Sequence, residues 1–273
     1  LMYKIIACDL DETLLNRSDK KVSQMNRDAI AKANEKGVQF VVATGRPFFT
    51  VQGTLKEIDQ YKKPNHYSIG LNGAQVVEHS TGKPLFTESV PFETVNALFE
   101  NAMTWDVGCH VYTDDAVYCF ACNEDEHDFL KGRMDVIYKE ELDLSFLKDS
   151  VLVKILFVNT NESYLRKLEK VLRPWSGEME ISYSSNRYLE FNKKGVTKGT
   201  ALLKLAEILG AKQEETIAIG DNFNDLAMIL DAGLGVGVAN SNPGMIGQCD
   251  FVTERDCDHG AVAEVIDKFV LNA

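Results

Sequence analysis

The sequence predicts an α/β protein with a parallel-sheet core into which a smaller α+β module is inserted. Continuous apolar runs, such as Tyr3–Cys8 and Val38–Ala43, alternate with helical spacing, as over Ser23–Lys36. This alternation is typical of parallel strands that are buried on both faces. In the middle of the chain the alternation gives way to a helix and a pair of strands, a pattern that occurs twice. The alternation of strands and helices returns from Lys198. The predicted domains are the first part of the core (1–90), the inserted module (91–192) and the second part of the core (193–273).

The remaining elements follow from the same patterns of apolar spacing. The first part of the core is predicted to contain a helix opened by Pro47, a strand over Tyr67–Leu71, and a hairpin of Ala74–Glu78 and Leu85–Ser89. The module is predicted to contain helices over Phe92–Trp105 and Ser163–Leu172 and strands over Val107–Thr113, Ala116–Ala121, Val151–Val158, Glu180–Ser184 and Tyr188–Phe191. The second part of the core is predicted to contain helices over Thr200–Leu209 and Ala261–Leu271 and strands over Thr216–Gly220, Leu234–Val238 and Phe251–Thr253.

Composition narrows the classes of partner. The chain has 273 residues, is 45% hydrophobic and carries a formal net charge of −12. So acidic a protein repels nucleic acid and anionic lipid, and no apolar run reaches the ~20 residues of a membrane span. No signal-peptide pattern is seen, so we expect a cytoplasmic protein, and nothing indicates an obligate protein partner. An anionic substrate would need a local positive group, either a metal ion or a lysine.

The cysteines favour reduced thiols over a metal site. The six are scattered, and only Cys119 and Cys122 stand at metal-ligand spacing. No second cysteine pair and no nearby histidine pair completes a zinc set. Buried thiols in a reducing compartment are therefore the preferred interpretation.

Two aspartates end the first predicted strand. Asp9 and Asp11 stand in Asp9-Leu10-Asp11-Glu12-Thr13, and two carboxylates ~4 Å apart repel by about 4 kcal/mol at an effective dielectric near 20. A divalent cation removes this repulsion, and one carboxylate can then act as nucleophile with the other as acid–base partner. The alternative is one Asp that caps the next turn and one that is solvated.

Two further motifs offer phosphate-binding groups. Thr44, at the end of the second strand, is followed by Gly45 and a predicted helix start, where a hydroxyl and free N–H groups suit a phosphate. A plain strand-to-helix turn capped by Thr44 or Arg46 is the alternative. Lys198 heads a helix, where a cation opposes the macrodipole, so a function is favoured there only if carboxylates or phosphate surround it. Otherwise it is an exposed lysine.

The fourth motif suits a magnesium ion. Gly220-Asp221-Asn222-Phe223-Asn224-Asp225 follows the strand Thr216–Gly220 and brings two more carboxylates to a strand end. Mg²⁺ prefers a few carboxylates, retained waters and a substrate phosphate. An Asp-capped helix with a polar first turn is the alternative.

Together these motifs resemble the haloacid dehalogenase superfamily, in particular the Cof-type hydrolases with an α+β cap of type C2B. The resemblance covers Tyr3 to Val270 and implies a Rossmann-like core, with the inserted module as the cap. It implies that Asp9 is the nucleophile and Asp11 the general acid–base. Lys198 would steady the nucleophile and the phosphate.

The resemblance also implies the ligand-binding residues. Mg²⁺ would be held by Asp9, the main-chain carbonyl of Asp11 and Asp221, with indirect support from Asp225. The groups implied near the phosphate or substrate are those of Thr13, Thr44, Gly45, Asn72, Gly73 and Asn224. Many family members have Gly in place of Glu12 and a larger apolar residue in place of Ala227. The loop that ends at Asn240 keeps the asparagine but not the common residues before it.

The implied activity is hydrolysis of small phosphomonoesters, sugar phosphates first, with Mg²⁺ as cofactor. The core motifs contact only phosphate and metal, so discrimination among substrates is expected from the cap, with Glu190 and Asn192 as candidates. The alternative for these two is that they only mark the return to the core. A phosphohexomutase with the same nucleophile stays open as a second function. A non-catalytic phospho-ligand sensor is a third, although a sensor has no need of the Asp9 and Asp11 pair.

Overall fold

The computed structural model describes residues 2–272, which separate into two compact units. Residues up to Phe86 and from Thr197 form the core unit, and Thr87–Val196 form the cap unit. The divisions thus fall after Phe86 and after Val196, a few residues outside the predicted module of 91–192.

The core unit is built from two stretches of chain. The first contributes β1 (Ile5–Asp9), α1 (Gln24–Glu35), β2 (Gln39–Ala43), α2 (Gln52–Glu57), β3 (Tyr67–Gly70), β4 (Gln75–Glu78) and β5 (Pro84–Thr87). Between the two stretches, the cap unit contributes α3 (Phe92–Ala102), β6 (Gly108–Thr113), β7 (Val117–Phe120), α4 (Glu124–Leu130), β8 (Ile137–Lys139), β9 (Leu152–Val158), α5 (Glu162–Leu172), β10 (Met179–Ser184) and β11 (Tyr188–Lys193). The second stretch contributes α6 (Lys198–Ile208), β12 (Thr216–Gly220), α7 (Leu226–Asp231), β13 (Leu234–Gly237), α8 (Pro243–Ile246), β14 (Phe251–Val252) and α9 (Ala261–Ile266).

The core sheet places several strand ends at one edge. Its order is β14-β13-β12-β1-β2-β3-β4-β5, and the pairs from β14 to β3 are parallel. The strands β1 and β12 are buried along their whole length, as their apolar sequences require. Because parallel strands end at the same edge, the residues after β1, β2 and β12 lie near one another. The predicted α/β class with a parallel core is confirmed.

The cap unit is an open sheet with the helices α3 and α5 on one face. Its order is β10-β11-β9-β6-β7-β8, and only β7 and β8 pair in parallel. The helices α3 and α5 pack against the side chains of alternate residues, including Phe157 and Phe191, to form an apolar core. The other residues of the same strands, such as His110 and Glu190, lie on the opposite sheet face. The predicted α+β module is confirmed.

Three local predictions were wrong or incomplete. Pro47 does not open a helix, because it is extended (ψ 150°) and precedes a short 3-10 turn, Phe48–Thr50. Its carbonyl accepts hydrogen bonds from the N–H and the hydroxyl of Thr50. The acidic helix α4 and the three-residue β8 were not predicted, since neither carries an apolar period. The last helix is α-helical only to Ile266 and continues as a π-helical turn, Asp267–Leu271.

No helix among residues 2–272 has the length and apolar character that crossing a membrane requires.

Candidate active site

A buried lysine joins two of the motifs. Lys198 is the first residue of α6, where Thr197 caps the helix, and its side chain is fully buried. Its Nζ donates to Oδ1 of Asp9 at 2.5 Å and to Oδ1 of Asp225 at 2.6 Å. The sequence left open an exposed lysine at this position. The structure instead brings Lys198 between the carboxylates that follow β1 and β12.

Asp225 shapes the loop after β12. Its Oδ2 accepts hydrogen bonds from the backbone N–H groups of Asp221 at 3.0 Å and Asn222 at 3.1 Å. Because Oδ1 of Asp225 accepts from Lys198, both oxygens of Asp225 are engaged. Asp225 therefore holds the lysine and the loop in position. A Cβ at Gly220 would lie 2.4 Å from the Cβ of Asp225, so this close approach needs glycine. The hydroxyl of Thr13 donates to Oδ1 of Asp221 at 3.1 Å and links the first and fourth motifs.

The site holds more negative than positive charge. Burial first, and then the charge of Asp225, raise the pKa of Asp9 to about 8. The same two causes raise the pKa of Asp221 to about 6. Burial opposes the charge of Lys198, yet Asp9 and Asp225 together raise its pKa, so the lysine stays protonated. One cation therefore faces three carboxylates.

A divalent cation fits this charge and these ligand atoms. One oxygen from each of Asp9, Asp221 and Asp225 lies within 4.8 Å of the others. Carboxylate oxygens are the hard ligands that Mg²⁺ prefers. A cation among them would offset the repulsion that, after burial, raises the pKa values of Asp9 and Asp221. Because both oxygens of Asp225 are engaged, Asp9 and Asp221 are the candidates for direct ligands.

The second motif and the Asn72 loop meet through their backbones. Thr44 is buried at the end of β2, where its Oγ1 accepts the N–H of Arg46 at 3.1 Å and its carbonyl accepts the N–H of Asn72 at 3.0 Å. Asn72 is in the left-handed region (φ 54°), and its amide lies against Gly45, where a Cβ would be 3.1 Å from Oδ1. Oδ1 of Asn72 is a buried acceptor that no group of residues 2–272 satisfies.

Gly73 brings this loop to the head of α6. Its φ is 101°, and a Cβ there would lie 2.0 Å from the carbonyl oxygen of Thr197, so only glycine fits. The phosphate-binding candidates Thr44, Gly45 and Asn72 are thereby held on the same side of the core unit as Lys198. Asn224 is exposed, and in the described chain no hydrogen bond joins it to the other candidates.

Arg46 holds Asp11, a contact that the sequence analysis missed. Nε of Arg46 donates to Oδ2 of Asp11 at 2.9 Å, and a second bond joins Nη2 to Oδ1. The strand pair β1 and β2 aligns Asp9 with Ala43, so Asp11 and Arg46 both lie just beyond the paired ends. Such register could have indicated the pair. Both side chains are partly exposed, at 42% for Asp11 and 35% for Arg46, so water screens the attraction.

The loop after β1 has a left-handed residue at the position where many members of the resembled family have glycine. Glu12 has a φ of 61°, in the left-handed region where glycine is at no disadvantage. Its carbonyl accepts a hydrogen bond of 2.8 Å from Nδ2 of Asn240, whose Oδ1 in turn accepts the N–H of Cys257. The loop that carries Asn240 thus holds the loop after β1 in a conformation that costs a non-glycine residue about 1–2 kcal/mol.

Comparison with known proteins assigns the family. The model of the haloacid dehalogenase-like hydrolases matches residues 6–266. YxeH of Bacillus subtilis (strain 168), provisionally named a phosphatase, is 31% identical over 276 residues, which are 99% of each chain. The 5-amino-6-(5-phospho-D-ribitylamino)uracil phosphatase YcsE of the same organism is 29% identical over 98% of this chain and 96% of its own. An HMP-PP phosphatase of Yersinia pseudotuberculosis serotype O:1b is 27% identical over 89% of this chain and 86% of its own.

Solved structures agree. The X-ray structure of TM0651 from Thermotoga maritima has a TM-score of 0.85 at 28% identity, covering 98% of this chain and 97% of that one. The subclass IIB sugar phosphatase BT4131 shares the fold, with a TM-score of 0.80 at 21% identity. The match covers 97% of this chain and 98% of that one. Fold and site define a hydrolase with a carboxylate cluster at the end of a parallel sheet. The chain belongs to the haloacid dehalogenase-like hydrolases, in the Cof-type branch with a cap, and it is a phosphatase.

The raised pKa values predict how pH acts on the metal-free protein. An unfolded Asp has a pKa near 3.8, while folded Asp9 and Asp221 have values of about 8 and about 6. Between these values the folded state binds more protons, so the free energy of unfolding falls as pH rises from about 4 to about 8. Protons compete with Mg²⁺ for the same oxygens, so its affinity should rise up to about tenfold per pH unit for each proton displaced.

Thermal unfolding with and without Mg²⁺ at several pH values measures this effect. The increase in Tm on adding Mg²⁺ should grow from about pH 5 to about pH 8. Asp221→Asn is the control and should abolish most of it. An increase of the same size at every pH would contradict the assignment of these carboxylates as ligands.

Proposed function

We propose that this phosphatase is Mg²⁺-dependent and hydrolyses small phosphorylated metabolites, sugar phosphates first, through an aspartyl-phosphate on Asp9. The observation that supports it is the state of the Asp9 carboxylate. Lys198 holds Oδ1, while no group of residues 2–272 donates a hydrogen bond to Oδ2. A carboxylate fixed by one oxygen presents the other in a defined direction, as a nucleophile requires.

The first half-reaction would transfer the phosphoryl group to Asp9. Oδ2 of Asp9 forms a bond to phosphorus while the bond from phosphorus to the leaving oxygen breaks. Asp11 gives its proton to that oxygen. Lys198 balances the negative charge, and the Thr44 hydroxyl with the N–H groups around Gly45 can donate to the phosphoryl oxygens. Mg²⁺, when bound, would supply charge neutralisation and alignment of the phosphate.

The second half-reaction would hydrolyse the aspartyl-phosphate and regenerate the free enzyme. Asp11, now ionised, takes a proton from water, the water oxygen bonds to phosphorus, and the bond to Asp9 breaks. Phosphate leaves, and the proton stays on Asp11 for the next cycle. The ion pair with Arg46 aims the Asp11 carboxylate and engages both of its oxygens. We therefore assign Arg46 as a positioning residue from which Asp11 must separate to act as an acid.

Relatives support a small substrate. The names of YcsE and of the Yersinia enzyme each give one phosphorylated small molecule as substrate. The groups that bind phosphate cannot tell one phosphomonoester from another, so selectivity must come from elsewhere. We propose the polar cluster of the cap sheet, in which Lys154 donates to Glu190 at 2.7 Å and lies over the ring of Tyr112. Despite burial, the pairing with Lys154 keeps the pKa of Glu190 below its usual value, so this carboxylate is ionised.

Asp9→Asn should remove turnover and spare the fold. The amide keeps the shape but lacks the nucleophilic oxygen, and Lys198 keeps Asp225 as a partner. Phosphate release in steady state should fall to background, while Tm stays at or above that of the wild type because a repelled charge is gone. Asp28→Asn, on the exposed face of α1, is the matched control and should be fully active. More than residual turnover by Asp9→Asn would exclude the aspartyl-phosphate.

Asp11→Asn should slow poor leaving groups most. A sugar phosphate needs its leaving oxygen protonated, so kcat should fall by about 10²–10⁴, whereas para-nitrophenyl phosphate should be slowed far less. Because this change also removes the pair with Arg46, Arg46→Gln serves as the control. It keeps the acid and should slow both substrates alike. Equal slowing of both by Asp11→Asn would assign Asp11 another role.

Substrate choice can be tested with a panel of phosphorylated compounds, each assayed at the same concentrations. We expect kcat/KM to rank hexose phosphates above mononucleotides and far above a phosphopeptide, with free phosphate rather than an isomeric sugar phosphate as product. Glu190→Gln keeps the shape of the side chain but removes its charge, so it should change the ranking and not the rate with para-nitrophenyl phosphate. Efficient phosphopeptide turnover would contradict the small substrate, and an unchanged ranking would remove Glu190 from the selective groups.

A further inference from the structure

The cap unit gathers a histidine and two cysteines on one sheet face. His110 of β6 and Cys119 of β7 are directly paired in the antiparallel ladder, so their side chains leave the sheet on the same side. Strict alternation would send Cys122 to the opposite side. Ala121, however, is in the left-handed region (φ 49°) and turns the chain back. The Cys122 thiol then lies over Gly108, where a Cβ would be 3.2 Å from its Sγ.

The three side chains supply ligand atoms at a common point. One nitrogen of His110 and the sulfurs of Cys119 and Cys122 all lie within 4.8 Å of one another. His110 and Cys119 are 0% and 1% exposed. Nδ1 of His110 has no hydrogen-bond partner among residues 2–272, although an unsatisfied buried polar group costs about 1–3 kcal/mol. Both thiols are free, and the Cys119 thiol and then the His110 imidazole lower the pKa of Cys122.

We propose that His110, Cys119 and Cys122 form a binding site for a thiophilic divalent cation, Zn²⁺ first. Two thiolates and an imidazole select Zn²⁺ over Mg²⁺, which prefers oxygen ligands. Zinc–sulfur bonds of about 2.3 Å place tetrahedral ligands about 3.8 Å apart, so the cluster needs only a small contraction. Three protein ligands leave a fourth position for water. The site is independent of the proposed phosphatase chemistry, whose ligands are all oxygens.

Glu126 would orient the histidine. Its Oε1 lies 3.3 Å from Nε2 of His110, and the carboxylate is fixed by Arg187 at 2.8 Å and by the hydroxyl of Tyr188 at 2.7 Å. Metal-bound histidines usually direct their second nitrogen to such a carboxylate. Nε2 therefore faces Glu126, and Nδ1 is left for the metal.

The metal would connect a short helix of the cap to the neighbouring hairpin. Cys122 immediately precedes Asn123, the N-cap of α4, so the ion would tie the β6–β7 hairpin to the start of this helix. With only seven residues, α4 has little stability of its own. Binding of Zn²⁺ to the folded state should accordingly raise the stability of the cap unit.

The test uses the full chain, purified without chelators in a phosphine reductant. We expect about one zinc per chain, and after metal removal Co²⁺ should give a thiolate-to-cobalt charge-transfer band with tetrahedral d–d bands. Cys119→Ser and Cys122→Ser should lose the band. Cys109→Ser, on the other face of β6, is the matched control and should keep it, as should Asp221→Asn, which removes a carboxylate of the other site. Glu126→Gln should weaken Zn²⁺ binding about 10–100-fold.

Alkylation gives a second measurement that does not require folded variants. Zn²⁺ should protect the partly exposed Cys122, but not the partly exposed Cys249 of the core unit, from labelling of the wild type. Co²⁺ binding without a thiolate band, a band of equal strength in Cys122→Ser, or equal labelling with and without Zn²⁺ would each overturn the proposal. Asp221→Asn should keep the thiolate-to-cobalt band even if it loses phosphatase activity. The band therefore tests the cap site separately from the proposed phosphatase function.

Discussion

One buried cation organises the candidate active site. Lys198 is fully excluded from water, and such a charge is tolerated only where opposite charges are close. Its two partners come from different stretches of the chain, Asp9 at the end of β1 and Asp225 after β12. Asp225 in turn fixes the backbone of the loop that carries Asp221. The direction of Asp9 and the shape of the loop after β12 thus depend on this single ammonium group.

The same arrangement leaves the site short of positive charge. Three carboxylates and one lysine cannot all stay ionised in a buried setting, which the raised pKa values of Asp9 and Asp221 express. The deficit makes the site receptive to a divalent cation and, with it, to a dianionic phosphate. The acidic surface of the protein does not oppose this, because attraction over a few ångströms outweighs screened charges farther away.

Sequence reasoning located the strands and motifs but not the contacts made by irregular backbone. Buried strands such as β1 and β12 reveal themselves as apolar runs, and the ends of parallel strands must meet, so Asp9 and Asp221 could be placed together from the sequence. The pairing of Arg46 with Asp11 depends on register, and the approach of His110 to Cys122 depends on a left-handed Ala121. Neither leaves a periodic signal. The short helix α4 was missed because its stability comes from its contacts rather than from an apolar face.

The discontinuous core has a consequence for how the chain acquires its structure. In the central strand pair of the core sheet, Ile5 is aligned with Thr216, so β1 must wait for residues made much later during synthesis. The cap unit, in contrast, is one uninterrupted stretch and can complete its sheet before β12 leaves the ribosome. Until then the apolar strand β1 has an open edge, the kind of surface that chaperones bind. Conditions that slow synthesis between β11 and β12 would prolong that exposure.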